Sequence, residues 1–276
     1  MGVARIAARF AALATAKQAG FVAYVMAGDP DFETSKRVVL GLPGVGVDII
    51  ELGFPFSDPM ADGVAIQKAG IRALANGMTM AKTLELARVV RAAHLETPII
   101  LMGYANPIYT YGVERFAADA AAAGVDGTIV VDLPPEEDQD LRAAYVQHDL
   151  AVIRLATPTT DAARLPAVIE GVKGFVYYVS VAGTTGDREI ATAGVRAAVS
   201  TIRDAAKLPV VVGFGIKTAE NARATAASAD AVVVGSAIVD AMGQAVEHGQ
   251  DPVAAALAIT AILADAAHEA PREIAA

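Results

Sequence analysis

Eight short apolar segments, rich in β-branched residues, alternate with helical segments along this 276-residue chain. Strands that alternate with helices form a parallel sheet, because each helix carries the chain back to the same end of the sheet. Eight such units in about 250 residues have the size of a (β/α)8 TIM barrel. A doubly wound open sheet is the alternative, but it usually has fewer strands and a glycine-rich first turn, which this sequence lacks. We therefore predict an α/β barrel that forms a single domain, residues 1–276.

Turn residues or proline bound the predicted strands, as is typical of buried parallel strands. In chain order the strands are Phe21–Met26, Val47–Leu52, Pro98–Met102, Gly127–Val131, Ala151–Leu155, Phe175–Ser180, Pro209–Gly213 and Ala231–Gly235. Helical spacing of apolar residues predicts helices at Met80–Ala93, Val113–Ala123, Glu136–His148, Ala193–Ala206 and Thr218–Ala227. An extra amphipathic helix is predicted before the first strand, and a closing helix is predicted at Pro252–His268.

Individual residues and loop lengths predict where some helices begin or end and which connections are extended. Asp29-Pro30 is predicted to start a helix, with aspartate as the cap and proline at the first helical position. Gly124 is predicted to end a helix with positive φ. The connections after strands two and six are extended: the first spans Gly53–Thr97, and the second contains the glycine-rich stretch Val181–Arg188. Both leave the C-terminal ends of strands, where barrel enzymes carry their active sites.

Composition limits the classes of function. The net charge of −9 and the isoelectric point near 4.9 argue against nucleic acid or anionic membranes as partners. The absence of cysteine excludes disulfides, thiolate metal sites and cysteine nucleophiles. No apolar run reaches the roughly 18 residues of a membrane span. The apolar core of the N-terminal segment is too short for a secretory signal, so we expect a cytoplasmic protein.

Two carboxylates near the end of strand two are the strongest catalytic candidates. Glu51 ends an apolar strand, on the same face as Ile49, and such burial is costly unless the carboxylate is paired or used. Its pKa should therefore rise, whereas Asp62 in the following polar loop should stay ionised. Two carboxylates in different surroundings can divide acid and base duties. For Asp62, a helix cap is an equally good interpretation of the spacing.

Glycine-rich strand ends indicate a phosphate site. Gly213-Phe214-Gly215 follows strand seven, and Gly235-Ser236 follows strand eight at a helix start, where free N–H groups and the helix dipole favour an anion. Gly183, Thr184 and Gly186 in the sixth loop add possible donors. Apolar residues at the strand ends could hold a flat apolar group beside the phosphate, but core layers also finish at strand ends, so core packing is the alternative for most of them. These residues are Met102, Tyr104, Ile153, Tyr177 and Phe214.

A metal site is not expected. Glu51, Asp58, Asp62 and Asp132 could form a carboxylate set for Mg²⁺, but Asp132 fits a loop and helix start better. The four histidines lack metal-ligand spacing and are predicted at the surface: His94, His148, His248 and His268.

The stretch Glu51–Gln67 resembles the signature of the tryptophan synthase α subunit family, through Glu51-Leu52-Gly53, Pro55-Phe56-Ser57-Asp58-Pro59 and Ala61-Asp62-Gly63. Similarity continues at Gly28-Asp29-Pro30, Tyr104-Ala105-Asn106-Pro107, Asp132-Leu133-Pro134, Glu136-Glu137, Gly213-Phe214-Gly215-Ile216 and Gly235-Ser236-Ala237-Ile238-Val239. The resemblance implies a phosphate-binding barrel, a lyase that cleaves indole-3-glycerol phosphate to indole and glyceraldehyde 3-phosphate.

The resemblance also implies residue roles. Glu51 would be the general acid and base, and Asp62 would accept the indole N–H. Substrate and phosphate contacts would be Tyr24, Met102, Tyr104, Tyr177, Thr185, Gly186, Phe214, Gly215, Gly235 and Ser236. A β subunit with its own pyridoxal phosphate (PLP) would receive the indole within an α2β2 heterotetramer, and this chain would need no cofactor. The partner interface would include Phe56, Ser57, Asp58, Pro59, Asn106 and Pro107.

Two positions depart from the family pattern. Val181 replaces an arginine, which bears on closure of the sixth loop, and Gly103 replaces a bulkier residue, which could loosen the pocket or the partner interface.

Two other functions stay open. An isomerase or ring-closing synthase on the same fold would want a lysine or cysteine at a strand end, and neither is present. A scaffold subunit that only activates its partner would have no need of Glu51 and Asp62.

Overall fold

The computed structural model describes residues 2–180, 188–213 and 215–271, and in these residues nine parallel strands form one sheet. The strands are β1 (Gly20–Met26), β2 (Ile49–Gly53), β3 (Ile99–Gly103), β4 (Gly127–Val130), β5 (Ala151–Ile153), β6 (Leu155–Ala156), β7 (Val176–Val179), β8 (Val210–Gly213) and β9 (Ala231–Val234). Their spatial order is β5-β4-β3-β2-β1-β9-β8-β7-β6. The predicted barrel is confirmed.

Arg154 joins the two edges of this sheet and thereby closes the barrel. The fifth predicted strand, Ala151–Leu155, is divided here into β5, which pairs with β4, and β6, which pairs with β7. The Arg154 side chain is buried against Asp138 and the backbone carbonyls of Val168 and Glu170. The strand therefore changes its pairing partner at Arg154, and the guanidinium group of this residue is hydrogen-bonded outside the barrel.

Helices cover the outside of the barrel and close its N-terminal end. They are α1 (Gly2–Ala16), α2 (Phe32–Gly41), α3 (Val64–Ala75), α4 (Met80–Ala93), α5 (Ala105–Tyr111), α6 (Val113–Ala122), α7 (Gln139–Gln147), α8 (Leu165–Ile169), α9 (Arg188–Ala206), α10 (Ala219–Ala226), α11 (Ser236–Glu247) and α12 (Pro252–His268). A short 3-10 helix, Leu42–Val45, follows α2. The long connection after β2 contains two helices, α3 and α4, which explains its length. None of the helices in the described parts is long and apolar enough to cross a membrane.

The helix start predicted at Asp29-Pro30 is wrong. Helix α2 begins at Phe32, and its cap is Asp31, whose carboxylate accepts a hydrogen bond from the Thr34 N–H. Asp29 is instead buried and receives two hydrogen bonds from the guanidinium of Arg72 on α3. The sequence pattern offered two aspartates near one helix start, and tertiary pairing with Arg72 decided between them. Gly124 does follow α6 with φ of +83°, as predicted.

The interior of the barrel is filled by strand residues and by one face of α1. Ile6, Phe10 and Leu13 of this helix pack against interior positions such as Ile49 and Phe175. At the same end, three aspartates hold neighbouring strands together. Asp48, Asp126 and Asp230 precede β2, β4 and β9, and each accepts the N–H of the residue at the base of the adjacent strand: Phe21, Ile99 and Val210. This end of the barrel is therefore built for stability.

Candidate active site

Glu51 lies inside the barrel near the C-terminal end of β2. In the register, its neighbours are Tyr24 on β1 and Ile100 on β3. The residue is 1% exposed, and burial raises the pKa of its carboxyl group to about 8. Within the described residues, no group donates a hydrogen bond to the Oε2 atom. The predicted rise in the pKa is therefore present, and its cause is desolvation without a compensating cation.

Two tyrosines lie beside Glu51 across the strand ends. A Cβ added at Gly53 would collide with the hydroxyl of Tyr24, and a Cβ added at Gly213 would collide with that of Tyr177. The two glycines thus leave the space in which the phenol groups lie. Burial, and to a smaller extent the charge of Glu51, raises the pKa of Tyr24 and of Tyr177. Both phenols therefore stay protonated and can donate hydrogen bonds near the carboxylate.

Asp62 lies in the loop between β2 and α3, and it does not cap the helix. The cap position belongs to Gly63, without a side-chain hydrogen bond. Partial burial raises the pKa of Asp62, whereas an interaction with the Tyr104 hydroxyl lowers it. The charges of both Asp62 and Glu51 act on the buried phenol of Tyr24. The two predicted catalytic carboxylates consequently face one region at the mouth of the barrel.

The loop after β3 is packed against the loop that carries Asp62. The rings of Phe56 and Tyr104 lie 5.4 Å apart, and the Tyr104 hydroxyl accepts a hydrogen bond from the Ala61 N–H at 3.0 Å. Asp132, after β4, accepts the N–H of Ala105 at 2.8 Å and so holds the start of α5. Asp132 therefore lies in a loop, as predicted, but the helix start predicted just after it is displaced, because α7 begins only at Gln139. No group of three or more metal-ligating side chains occurs in the described parts of the chain.

The residues predicted to contact phosphate lie at the ends of β8 and β9. Gly215 has φ of +71°, and Gly235 precedes α11, which begins at Ser236. The first N–H groups of a helix lack intrahelical partners, so this end of α11 can bind an anion. Met102 lies half-buried near the end of β3. The predicted contacts Thr185, Gly186 and Phe214, and the departure at Val181, lie outside the described residues.

The residues predicted to contact a partner lie on two adjacent loops. Ser57 and Asp58 are exposed after β2, and Asn106 is exposed in the first turn of α5. Phe56, Pro59 and Pro107 are half-buried beside them. The ring contact between Phe56 and Tyr104 joins the two loops, so the predicted interface residues form one surface at the mouth of the barrel.

Gly103 does not leave an empty space. The ring of Phe54, a residue that is 3% exposed, lies against its Cα, and any Cβ there would collide with that ring. Phe54 belongs to the layer between strands and helices rather than to the barrel interior. The Phe54 ring fills the space beside Gly103, which argues against a looser pocket, and a looser partner interface stays a prediction. Phe54 lies three residues after Glu51 in the sequence, and the pairing of β2 with β3 brings its ring onto Gly103.

Two histidines differ from the prediction that all four are surface residues. His268 is half-buried, and its Nε2 lies 2.8 Å from Oδ2 of Asp48. His94 is also half-buried, with Nε2 2.9 Å from the carbonyl oxygen of Leu40. Both lie at helix ends, where the ring contacts a polar group of another element: a carbonyl of α2 for His94 and the aspartate before β2 for His268. The spacing along the sequence could not reveal partners so distant in the chain.

The chain is similar to known proteins over nearly its whole length. The family described as "Tryptophan synthase alpha chain" matches residues 10–268. A tryptophan synthase alpha chain from Phenylobacterium zucineum (strain HLK1) is 56% identical over 272 residues, covering 99% of this chain and 98% of the relative. The crystal structure of the alpha subunit from Legionella pneumophila str. Paris superimposes with a TM-score of 0.88 at 40% identity, covering 95% of this chain and 97% of that one. A Mycobacterium tuberculosis tryptophan synthase structure gives a TM-score of 0.86 at 33% identity, covering 96% and 98%.

Proposed function

The chain belongs to the tryptophan synthase alpha chain family, and from this membership we propose that it cleaves indole-3-glycerol phosphate to indole and D-glyceraldehyde 3-phosphate. The reaction is a retro-aldol cleavage by a lyase. The observation that carries the proposal is the buried carboxyl group of Glu51, with a pKa of about 8. Such a group holds a proton near neutral pH and still gives it up readily, as a general acid and base must.

Each protonation state of Glu51 carries out one proton transfer in this reaction. The protonated carboxyl group gives its proton to indole C3, which makes the ring nitrogen cationic. The carboxylate then takes the proton from the hydroxyl on the adjacent glycerol carbon. The O–H electrons form the aldehyde C=O, the bond to C3 breaks, and its electrons return to the ring. Asp62 accepts the indole N–H and stabilises the positive charge while it exists.

The substrate has a second end that the barrel can bind. We assign the phosphate group to the N-terminal end of α11 at Gly235 and Ser236, with Gly215 beside it, because free N–H groups and small residues suit an anion there. Thr185, Gly186 and Phe214 are proposed contacts from the sequence alone. Met102 and Tyr177 would line the indole pocket, together with Tyr24. The whole chain would act as one phosphate-binding domain.

The family name implies a β-subunit partner. We propose an α2β2 complex in which indole passes to the β subunit, and we assign the contact to Phe56–Pro59 and to Asn106 and Pro107 because several of these residues are exposed beside the candidate site. PLP would belong to the β subunit, which would make L-tryptophan, and this chain would need no cofactor. A cytoplasmic location fits such a biosynthetic role.

Indole release by the full chain tests the proposal. The purified chain should release indole from indole-3-glycerol phosphate, and addition of the β subunit should increase the rate. A chain that releases no indole under either condition would contradict the proposed function. A chain that releases indole only when the β subunit is present would still be the lyase. A scaffold subunit would not cleave the substrate itself.

Substitution of Glu51 tests the proposed acid and base. Glu51→Gln keeps the shape of the side chain but cannot exchange a proton, so kcat should fall by about 10²–10⁴-fold or more, with substrate binding largely intact. Glu85→Gln on the exposed face of α4 is the matched control and should keep normal kinetics. Turnover of Glu51→Gln near the wild-type rate would remove Glu51 from the mechanism.

A further inference from the structure

Tyr104 contacts the loop of Asp62 through both its ring and its hydroxyl group. The ring packs against Phe56 at 5.4 Å between centroids. The hydroxyl oxygen accepts a hydrogen bond from the Ala61 N–H at 3.0 Å, and this hydroxyl group lowers the pKa of the Asp62 carboxyl group, against the larger effect of burial. The phenol of Tyr104 is therefore bonded to the backbone immediately before Asp62, the second residue of the proposed catalytic pair.

The donor and acceptor roles at the Tyr104 hydroxyl group can be assigned in only one way. A phenol has one proton to donate and lone pairs to accept. The Ala61 N–H can only donate, so it uses a lone pair of the phenol oxygen and leaves the phenol proton free. An ionised carboxylate can only accept, so the free proton matches Asp62. Burial raises the pKa of Tyr104 to about 12, and the phenol therefore keeps the proton that this arrangement requires.

Tyr104 is itself held from three strands. It is 3% exposed, and its backbone is extended immediately before α5. The next residue, Ala105, donates its N–H to Asp132 after β4, while the preceding residue, Gly103, lies against the ring of Phe54 from the end of β2. The Phe54 N–H also donates to the Met102 carbonyl at 3.0 Å. The hydroxyl group therefore occupies a defined position from which it can orient a loop.

We propose that Tyr104 is a positioning residue, whose hydroxyl group holds the Asp62 carboxylate in the orientation that receives the indole N–H. This inference rests on the proposed function, in which Asp62 stabilises the cationic ring. It differs from the sequence-based prediction, in which Tyr104 contacts the substrate. A residue that only lines the pocket would act through its ring, whereas a positioning residue acts through its hydroxyl oxygen and proton.

Tyr104→Phe separates these two roles because it keeps the ring and removes only the hydroxyl group. Loss of a hydrogen bond to a charged group should lower kcat by about 10- to 100-fold, with KM changed by less than about threefold. Tyr109→Phe, on the exposed side of the same helix, is the matched control and should keep wild-type kinetics. The melting temperatures of both variants should stay close to that of the wild type.

A double-variant cycle with Asp62→Asn shows whether the effect passes through Asp62. Asp62→Asn alone should lower turnover with little change in melting temperature. In that background, Tyr104→Phe should change kcat by less than about threefold, because the group that it orients has already been lost. A general structural defect would instead lower kcat by the same factor in both backgrounds.

The possible outcomes are distinct from those for the proposed function. If the wild-type chain releases no indole either alone or with the β subunit, the proposed function fails. If the wild type is active and Tyr104→Phe keeps kcat within about twofold, or if the two substitutions multiply in full, the positioning role is wrong. A large decrease for Tyr104→Phe that disappears in the Asp62→Asn background supports it.

Discussion

The carboxyl group of Glu51 has been removed from water without receiving a cation. Its position was predictable because a single charge interrupts an apolar strand at its end. Its neighbours were not, since Tyr24 and Tyr177 come from two other strands, β1 and β7, and their hydroxyl groups lie in the space that Gly53 and Gly213 leave. At the scale of single residues, the sequence therefore indicated which group is unusual, and the fold supplied what acts on it.

Burial of Glu51 also makes stability depend on pH. Its pKa is raised from 4.5 to about 8 on folding, so between these values the folded chain holds a proton that the unfolded chain has lost. The free energy of unfolding should therefore decrease as the pH rises through this interval. Glu51→Gln stays neutral and should be more stable than the wild type, by a margin that widens from about pH 5 to about pH 9.

Thermal or urea unfolding of both proteins over that pH interval measures this margin. Glu85→Gln again serves as the control, because it makes the same substitution at an exposed position on α4. A margin for Glu51→Gln that stays constant with pH would mean that Glu51 is ionised in the folded chain.

At the scale of elements, Gly103 and Phe54 form a complementary pair at the ends of β3 and β2. The residue without a side chain provides the space that the ring fills. This pairing explains how the departure at Gly103 is accommodated, and it lies in the layer between strands and helices rather than in the substrate pocket. The register between β2 and β3 brings the two positions together, and no local pattern in either segment indicates it.

Gly103→Ala should destabilise the chain by about 1–3 kcal/mol, because its Cβ would overlap the Phe54 ring. Phe54→Val should also destabilise the chain, since it leaves a cavity. The double variant should lose clearly less than the sum of the two, because the added methyl group enters the space that the ring has left.

Urea unfolding of the three variants measures the coupling between the two positions. Gly44→Ala is the matched control, because no atom lies within 4 Å of a Cβ at that position, and its stability should stay within about 0.5 kcal/mol of the wild type. Additive losses in the double variant would show that the ring and the glycine do not share this space.

At the scale of the whole molecule, the two terminal helices are tied to the base of the barrel through one aspartate. Asp48 accepts the Phe21 N–H, lies 2.8 Å from Nε2 of His268 at the end of α12, and lies 3.7 Å from the guanidinium of Arg9 on α1. The hydrogen bond with Asp48 raises the pKa of His268, and partial burial opposes this effect. Asp265, on the same helix, adds a smaller favourable charge.

The stabilisation by His268 should be lost as the pH rises. Because the pKa is higher in the folded chain than its ordinary value of 6.5, the contribution is complete below that pH and disappears as the pH passes the folded pKa. His268→Gln should therefore lower the free energy of unfolding more at about pH 5.5 than at about pH 9. His248→Gln, on an exposed histidine after α11, is the control, and an equal loss at both pH values for His268→Gln would contradict the prediction.

The sequence by itself determined the architecture and the identity of the catalytic candidates. Parallel strands and crossover helices follow from hydrophobic periodicity, a local property, and the alternation of eight units leaves few other folds. The carboxylate loop after β2 and each glycine-rich strand end are short continuous stretches of sequence, so each motif could be recognised directly.

Only the tertiary structure decided which groups share an environment. The pairing of Asp29 with Arg72, the fit of Phe54 on Gly103 and the hydrogen bond from the Ala61 N–H to Tyr104 all join residues that are more than 40 positions apart. Strand register and packing set these distances, and neither is encoded in a short pattern. Glu51 was visible as a carboxylate out of place, but desolvation inside the closed barrel is what gives it a pKa of about 8.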